Sequence, residues 1–217
     1  MGKAAEAKSM GQAVLGLENV ELTLAGNAGR VEILRGITLE VDRGESIGLV
    51  GPSGSGKSSL LMLMGGLERP TAGRVTALGQ ELSGMDEDGL ARFRRGRMGI
   101  VFQSFHLVPT MTARENVALP LRVLGQSEAD YRPNVEELLD WVGLGERMHV
   151  LPPLLSGGEK QRVAIARALF NAPALILADE LHEARLNAGK AGPSSAAAPA
   201  AASTDGVAEA LKPLISG

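Results

Sequence analysis

Cysteine is absent from the 217 residues, which excludes a disulfide framework and any thiolate-ligated metal. A reducing compartment is therefore allowed, and the cytosol is the expected one. No apolar run approaches the roughly 20 residues that a helix needs to cross a bilayer. The most apolar stretch, residues 60–64, runs into Gly65, Gly66 and Glu68, so a role at a membrane calls for a partner subunit. The first ten residues carry Lys3, Glu6 and Lys8 among alanines and lack the apolar core of an export signal. Glu6 also stands where a myristoylation motif needs Ser or Thr. Positive charge is not in excess: 22 Lys and Arg face 25 Asp and Glu, a formal charge of -3, which argues against a nucleic-acid partner. The chain also lacks an internal repeat.

What is present is enough apolar material, 44% of residues, to bury a substantial core, so one globular unit of two lobes is expected. Alternation of apolar and polar residues predicts strands over residues 20–24 (Val20, Leu22, Leu24) and 31–41 (Ile37, Leu39, Val41), with Asn27 and Gly29 turning the chain between them. Residues 46–50 form a short apolar run between Gly44 and Gly51, and residues 57–67 read as a helix. Strands are expected over 74–78 and 98–102, separated by a helix over 86–95 whose acidic start and basic end suit the helix dipole. From 112 to 141 the pattern is helical, with Ser127 as an N-cap, an apolar stripe of Leu138, Leu139 and Val142, and Pro120 and Pro133 breaking or beginning helices. A helix over 157–170 and a buried strand over 174–178 follow.

Two stretches carry chemistry. Gly51-Pro52-Ser53-Gly54-Ser55-Gly56-Lys57-Ser58 matches G-x-x-x-x-G-K-[ST] between an apolar run and a helix, the context that the phosphate-binding loop demands. Its glycines let backbone N–H groups converge on a β-phosphate, the helix N-terminus adds positive potential, Lys57 reaches β/γ oxygens and Ser58 can ligate Mg²⁺. Further on, residues 175–178 lead into Asp179 and Glu180, an arrangement that sets one acid near Mg²⁺ and a second near an attacking water. By itself such a strand is as readily an ordinary buried strand with an acidic edge; after a phosphate loop the catalytic reading takes precedence. Between them, Leu155-Ser156-Gly157-Gly158-Glu159 opens a basic helix whose N-terminus could take a phosphate.

In this order, over residues 14–180, these stretches resemble the ATPases of ABC transporters, which carry a P-loop, a Q-loop glutamine, an LSGGQ-type signature and a strand ending in Asp-Glu. The segment from Arg94 through Phe102, Gln103 and His106 to Asn116 and Val117 is most similar to the lipoprotein-release and macrolide-export type. The resemblance implies an α/β P-loop NTPase fold: a mixed or parallel core sheet, an N-terminal antiparallel β subdomain and a helical subdomain over about 104–160. It implies that residues 51–58 together with Ser59 hold ATP, and that Ser58, Gln103 and Asp179 serve Mg²⁺. By the same resemblance Gln103 touches Mg²⁺ or the attacking water and senses the membrane subunit. Glu180 is the general base, a role conventionally contributing roughly 10²- to 10⁴-fold in rate. Leu155, Ser156, Gly157, Gly158 and Glu159 belong to the loop that clasps the γ-phosphate held by an opposing subunit, so ATP is sandwiched in a dimer of like or paralogous cassettes. Dimer closure drives a membrane-spanning permease, and the subunit lies at the inner face of the cytoplasmic membrane.

The chain also departs from that family. Members continue from Asp-Glu into Pro-Thr, an aspartate loop and later a strand ending in a switch histidine, whereas Leu181, His182, Glu183 and Ala184 follow here. Of the three histidines, His106, His149 and His182, none ends a strand beyond Glu180. Residues 181–217 turn to Ala, Gly, Pro and Ser, the composition of a flexible tail, with helical character only at 207–215. A truncation or frame change is the expectation, with the final core strands missing, a sheet edge uncovered, and an ATP-binding protein without productive turnover as the alternative. Leu24 stands where an adenine-stacking Tyr or Phe is usual, leaving apolar contact alone for the base. Glu159 replaces the usual signature glutamine and adds a charge near bound phosphate. A soluble cassette acting on DNA or ribosomes would carry tandem cassettes, long insertions or a basic surface, and one short acidic cassette argues against it.

Overall fold

The computed structural model describes residues 13–26 and 29–179, which divide into two compact units, one ending at Met85 and the other beginning at Asp86. Expectations for Asn27, Glu180 and the segment 181–217 lie outside the described residues.

The first unit is built on a long antiparallel pair, β1 (Ala13–Gly26) and β2 (Gly29–Asp42). β3 (Ala72–Ala77) pairs with the other edge of β1, and the two-residue β4 (Gln80–Glu81) completes the sheet in the order β2-β1-β3-β4. The alternation that predicts the first two strands is present but broken by a bulge. Leu15 and Leu17 are buried, then Glu18 and Asn19 are both exposed, and Val20 and Leu22 are buried again. The ladder shifts register between Leu17 and Val20, where Asn19 takes φ 47° and its N–H donates to the Thr38 hydroxyl (3.1 Å). An extra residue of this kind resets the period of two so that both halves of the strand face the same core. Leu24, beyond two further shifts, is exposed instead.

Helix α1 (Lys57–Met64) ends at Gly65, three residues short of its predicted length, and buries Leu60, Leu61, Leu63 and Met64. The apolar run 46–50 is a correction. It takes no strand partner among the described residues, and Val50 is 98% exposed. An apolar run becomes a strand only where a neighbour supplies the ladder for its N–H and C=O groups, and the sequence pattern cannot show that neighbour.

The second unit opens with α2 (Glu87–Arg94), capped by Asp86, whose carboxylate accepts from the Gly89 N–H at 2.7 Å. β5 (Met98–Val101) and β6 (Leu175–Ala178) form a parallel pair, Met98 opposite Leu175 and Val101 opposite Ala178. Between them run α3 (Ala113–Val123), α4 (Glu128–Trp141), two short 3₁₀ turns and α5 (Gly157–Leu169). Parallel strands need a long crossover, and these helices provide it while building a core of Val117, Val135, Leu139, Val142, Leu144 and Val163, all essentially inaccessible. Gly99 of β5 is small for a reason: a Cβ there would run into the backbone carbonyl of Ala168, so glycine lets α5 lie directly on the strand. β6 is half-buried, with only Leu177 fully covered, not buried on both faces as expected, because β5 is its single strand neighbour among the described residues.

The prolines are a second correction. Pro120 and Pro133 lie inside α3 and α4 and neither break nor begin them. Each removes one helical donor, a cost of roughly 3 kcal/mol in an exposed helix interior, which tertiary burial offsets here. α3 buries Ala113, Asn116, Val117 and Ala118 ahead of Pro120, and α4 buries Tyr131, Val135, Leu138, Leu139 and Trp141 around and beyond Pro133. The two helices are also tied by Arg114, whose guanidinium meets Glu136 at 3.1 Å while Arg132 meets the same carboxylate at 2.8 Å.

Leu139 is wholly inaccessible in this core, so Leu139→Ala should destabilise the chain by about 2–5 kcal/mol, read as a lowered midpoint in urea unfolding at unchanged slope.

Candidate functional site

In the first unit the loop 51–56 is shaped by two left-handed glycines, Gly54 (φ 80°) and Gly56 (φ 88°). Gly56 could be no other residue: besides its φ, a Cβ would come within 2.9 Å of Leu34 Cδ2 and 3.1 Å of the Ile33 carbonyl on β2. Lys57 folds back over the loop, its Nζ donating to the carbonyls of Gly51 (2.8 Å) and Pro52 (2.9 Å). The ammonium is thus held across the loop mouth by two neutral acceptors, with its charge uncompensated by them and a donor to spare. Pro52, Ser53, Ser55 and Ser58 are exposed, and Ser59 is half-buried on the first turn.

The start of α1 differs from every other described α-helix. α2, α3 and α5 have side-chain caps, and α4 has Glu128 and Asp130 in its first turn. α1 has Gly56 as N-cap, no side-chain cap and no acid in its first turn. Its free N–H groups and positive dipole end are left for an anion, so the cradle and the lysine fit a phosphate chain.

In the second unit the structure brings Gln103 and Asp179 to one edge. The Asp179 N–H continues the parallel ladder by donating to the Val101 carbonyl at 2.9 Å, and Gln103 lies two residues beyond Val101. Both sit at the carboxyl ends of β5 and β6, where open parallel sheets place their ligand groups. Gln103 and Ser104 are the central residues of a turn closed by the Phe105 N–H on the Phe102 carbonyl, at 2.9 Å. Two consecutive left-handed non-glycine residues follow, Phe105 (φ 61°) and His106 (φ 44°), each a strain of order 1–3 kcal/mol that the surroundings must hold.

Two residues that sequence reasoning did not single out hold this segment. Arg167 of α5 donates through its two terminal nitrogens to the carbonyls of His106 and Phe105, both at 2.7 Å. Burial pulls its pKa down from the ordinary arginine value. Asn116 of α3, completely buried, accepts from the Val108 N–H (2.7 Å) and donates to the carbonyls of Val108 (3.1 Å), Met111 (2.9 Å) and Thr112 (3.0 Å). The available signal was polarity out of place: an asparagine beside Val117 on a buried helix face, and an arginine inside the run Val163, Ala164, Ile165, Ala166, Ala168, Leu169.

At the signature loop Leu155 is buried, while Ser156, Gly157 and Gly158 are exposed at the start of α5. Ser156 and Glu159 form a capping box: the Glu159 N–H donates to Ser156 Oγ at 3.3 Å and the Ser156 N–H to Glu159 Oε2 at 2.8 Å. The other oxygen of Glu159 meets Arg147 at 3.1 Å, and the side chain is only 17% exposed. Hydrogen bonds from the Ser156 backbone and hydroxyl, aided by Arg147 and Arg162, hold the Glu159 carboxyl below its usual range against the opposing effect of burial. The charge that replaces glutamine is therefore engaged within the subunit by the helix it caps and by an arginine. Thr112 and Glu115 form the same box at the head of α3, with the same lowering of the Glu115 carboxyl. Glu180 lies outside the described residues.

A glycine-lined anion cradle at an uncapped helix, a glutamine and an aspartate at the ends of parallel strands and a capped serine-glycine loop together define a P-loop nucleotide-binding protein. The ABC transporter family model matches residues 34–183, and the chain belongs to that family. It is 49% identical over 171 residues to the lipoprotein-releasing system ATP-binding protein LolD 2 of Caulobacter vibrioides, covering 79% of this chain and 75% of that one. It is 49% identical over 150 residues to the macrolide export ATP-binding/permease protein MacB of Marinobacter nauticus, covering 69% of this chain and 23% of that one. Among solved structures, the dimeric post-hydrolysis state of the ATP-binding cassette MJ0796 bound to ADP and Pi is similar at TM-score 0.73 and 40% identity, over 76% of this chain and 73% of that one.

Because the folded-state pKa of Glu159 is lowered, its contribution is complete at neutral pH. It begins to fall as pH drops through the ordinary glutamate value of about 4.3 and is gone below the depressed folded value. Glu159→Gln keeps the box geometry and loses the charge, so at pH 7 it should cost about 1 kcal/mol. The gap from the parent, followed by urea unfolding, should close as the pH falls below that window.

Proposed function

We propose that residues 14–180 form the cassette that binds magnesium-ATP at residues 51–59 and hydrolyses it as the motor of an ABC transporter, with residues 104–160 as its helical subdomain. The observation that carries this reading is the start of α1. A left-handed Gly56, a lysine held across the loop and a helix N-terminus with neither side-chain cap nor acid form a receptor for the β- and γ-phosphates. Leu24 (44% exposed) and Val31 (50% exposed) face each other across the β1–β2 ladder. Val31 is two residues along β2 from the Ile33 that abuts Gly56, roughly 7 Å at strand spacing, so an apolar pair is on hand for the base in place of an aromatic ring.

Ser58 of the first unit is a hydroxyl and Asp179 of the second a carboxylate, each a ligand type that Mg²⁺ takes alongside substrate phosphates, and the ion would supply neutralisation of charge on phosphate oxygens. Gln103 orients the attacking water and reports to the membrane partner, and Glu180 accepts the proton of that water. Ser156, Gly157 and Gly158 present a hydroxyl and N–H groups to the γ-phosphate of a second cassette. That grip makes nucleotide the adhesive of the dimer and its hydrolysis the signal to part. No helix among the described residues is long and apolar enough to cross a membrane. The subunit takes its place at the inner face of the cytoplasmic membrane through a membrane-spanning permease, of the lipoprotein-release or macrolide-export kind. Nucleic acid has no part in this function.

Lys57→Ala should weaken ATP binding by about 10²-fold through loss of charge-assisted bonds, measured as loss of ATP-dependent thermal stabilisation. Glu180→Gln should retain bound ATP that the parent turns over to phosphate. Undiminished ATP retention in the lysine variant would contradict the cradle assignment.

A further inference from the structure

The geometry points to Arg167 as a positioning residue for Gln103: its guanidinium fork clamps the left-handed Phe105–His106 turn and so fixes the presentation of the glutamine just ahead of it. The inference rests on the reading that Gln103 serves ATP hydrolysis.

Gln103 occupies a turn that ends at Phe105, and the chain leaves that turn through two residues with positive φ. Neither is glycine, so the conformation persists only where something outside the turn enforces it. The local bonds are short-range: Phe105 N–H to the Phe102 carbonyl and His106 N–H to the Ser104 carbonyl (2.7 Å), with the His106 ring tilted on Phe102 at 4.6 Å. The enforcing contact comes from a residue 61 and 62 positions away, where the two terminal nitrogens of Arg167 reach successive carbonyls at 2.7 Å. A planar fork with fixed donor directions selects one relative orientation of those carbonyls, which a lysine's point charge cannot do. The acceptors of its two terminal nitrogens are backbone carbonyls. Downstream, Asn116 pins residues 108–112 to α3. The loop carrying Gln103 is thereby fixed at two points, and the nearer one belongs to α5, the helix that Ser156 opens.

The test uses the full chain. Arg167→Gln and Arg167→Lys are compared with the parent and with Gln103→Ala in steady-state ATP hydrolysis, and amide exchange is followed by mass spectrometry over residues 102–108, with the core of α4 as internal control. Arg167→Gln is expected to lower kcat by about 10²-fold, the scale of a misplacement near 1 Å, with the KM for ATP within about twofold. Combined with Gln103→Ala it should lower kcat no further than Gln103→Ala alone. Exchange over 102–108 should rise at least about tenfold in Arg167→Gln and less in Arg167→Lys, while α4 stays protected; the lysine variant keeps the readout available should the glutamine variant not fold. Unchanged exchange over 102–108, or multiplicative losses in the double variant, overturns the proposal. A kcat in Gln103→Ala equal to that of the parent overturns it too, and marks the fault as the catalytic reading of Gln103, because the exchange result stands apart from turnover.

Discussion

The loop before α1 depends on one steric fact: at residue 56 the backbone must be left-handed while lying against Ile33 and Leu34 of β2. Only glycine meets both conditions. Once it does, the N–H groups at the helix start have no internal acceptor, Lys57 can fold across to the carbonyls of Gly51 and Pro52, and α1 leaves its positive end uncompensated. The first unit tolerates that electrostatic vacancy because α1 is anchored elsewhere, through Leu60, Leu61, Leu63 and Met64.

The second unit solves the opposite problem. Three of its four described α-helices satisfy their own beginnings with side chains, Asp86, Thr112 and Ser156 serving as caps and Glu115 and Glu159 closing two boxes. The two residues of this unit on which the proposed function draws are placed at strand ends: Asp179 follows β6 and Gln103 follows β5. Parallel pairing makes those ends coincide whatever the length of chain between them, and the crossover helices can vary in packing without moving them apart.

Much of this was legible from residues alone. Local signals, such as the acidic start of α2 and the glycines of the loop, act within three or four positions, and the elements that they start fall within a few residues of expectation; Ser127 stands at the head of α4 as expected but makes no side-chain cap bond. The phosphate loop was legible for the same reason. The failures share a cause in tertiary context. The run 46–50 has the composition of a strand but no partner among the described residues; Pro120 and Pro133 are carried inside helices by burial; the bulge at Asn19 resets a period that a two-residue alternation assumes constant. The contacts of Arg167 and Asn116 with the segment after β5 were invisible because their acceptors lie 61 or more positions away in one case and in an irregular loop in the other.

The box at Ser156 bears on how such proteins are recognised. Glutamate and glutamine can each close a capping box, and here the glutamate does so while its charge is met by Arg147. At the fifth position of the signature this chain's glutamate thus serves the start of α5. A sequence pattern insisting on glutamine there would discard a chain whose serine and glycines are displayed on the same scaffold.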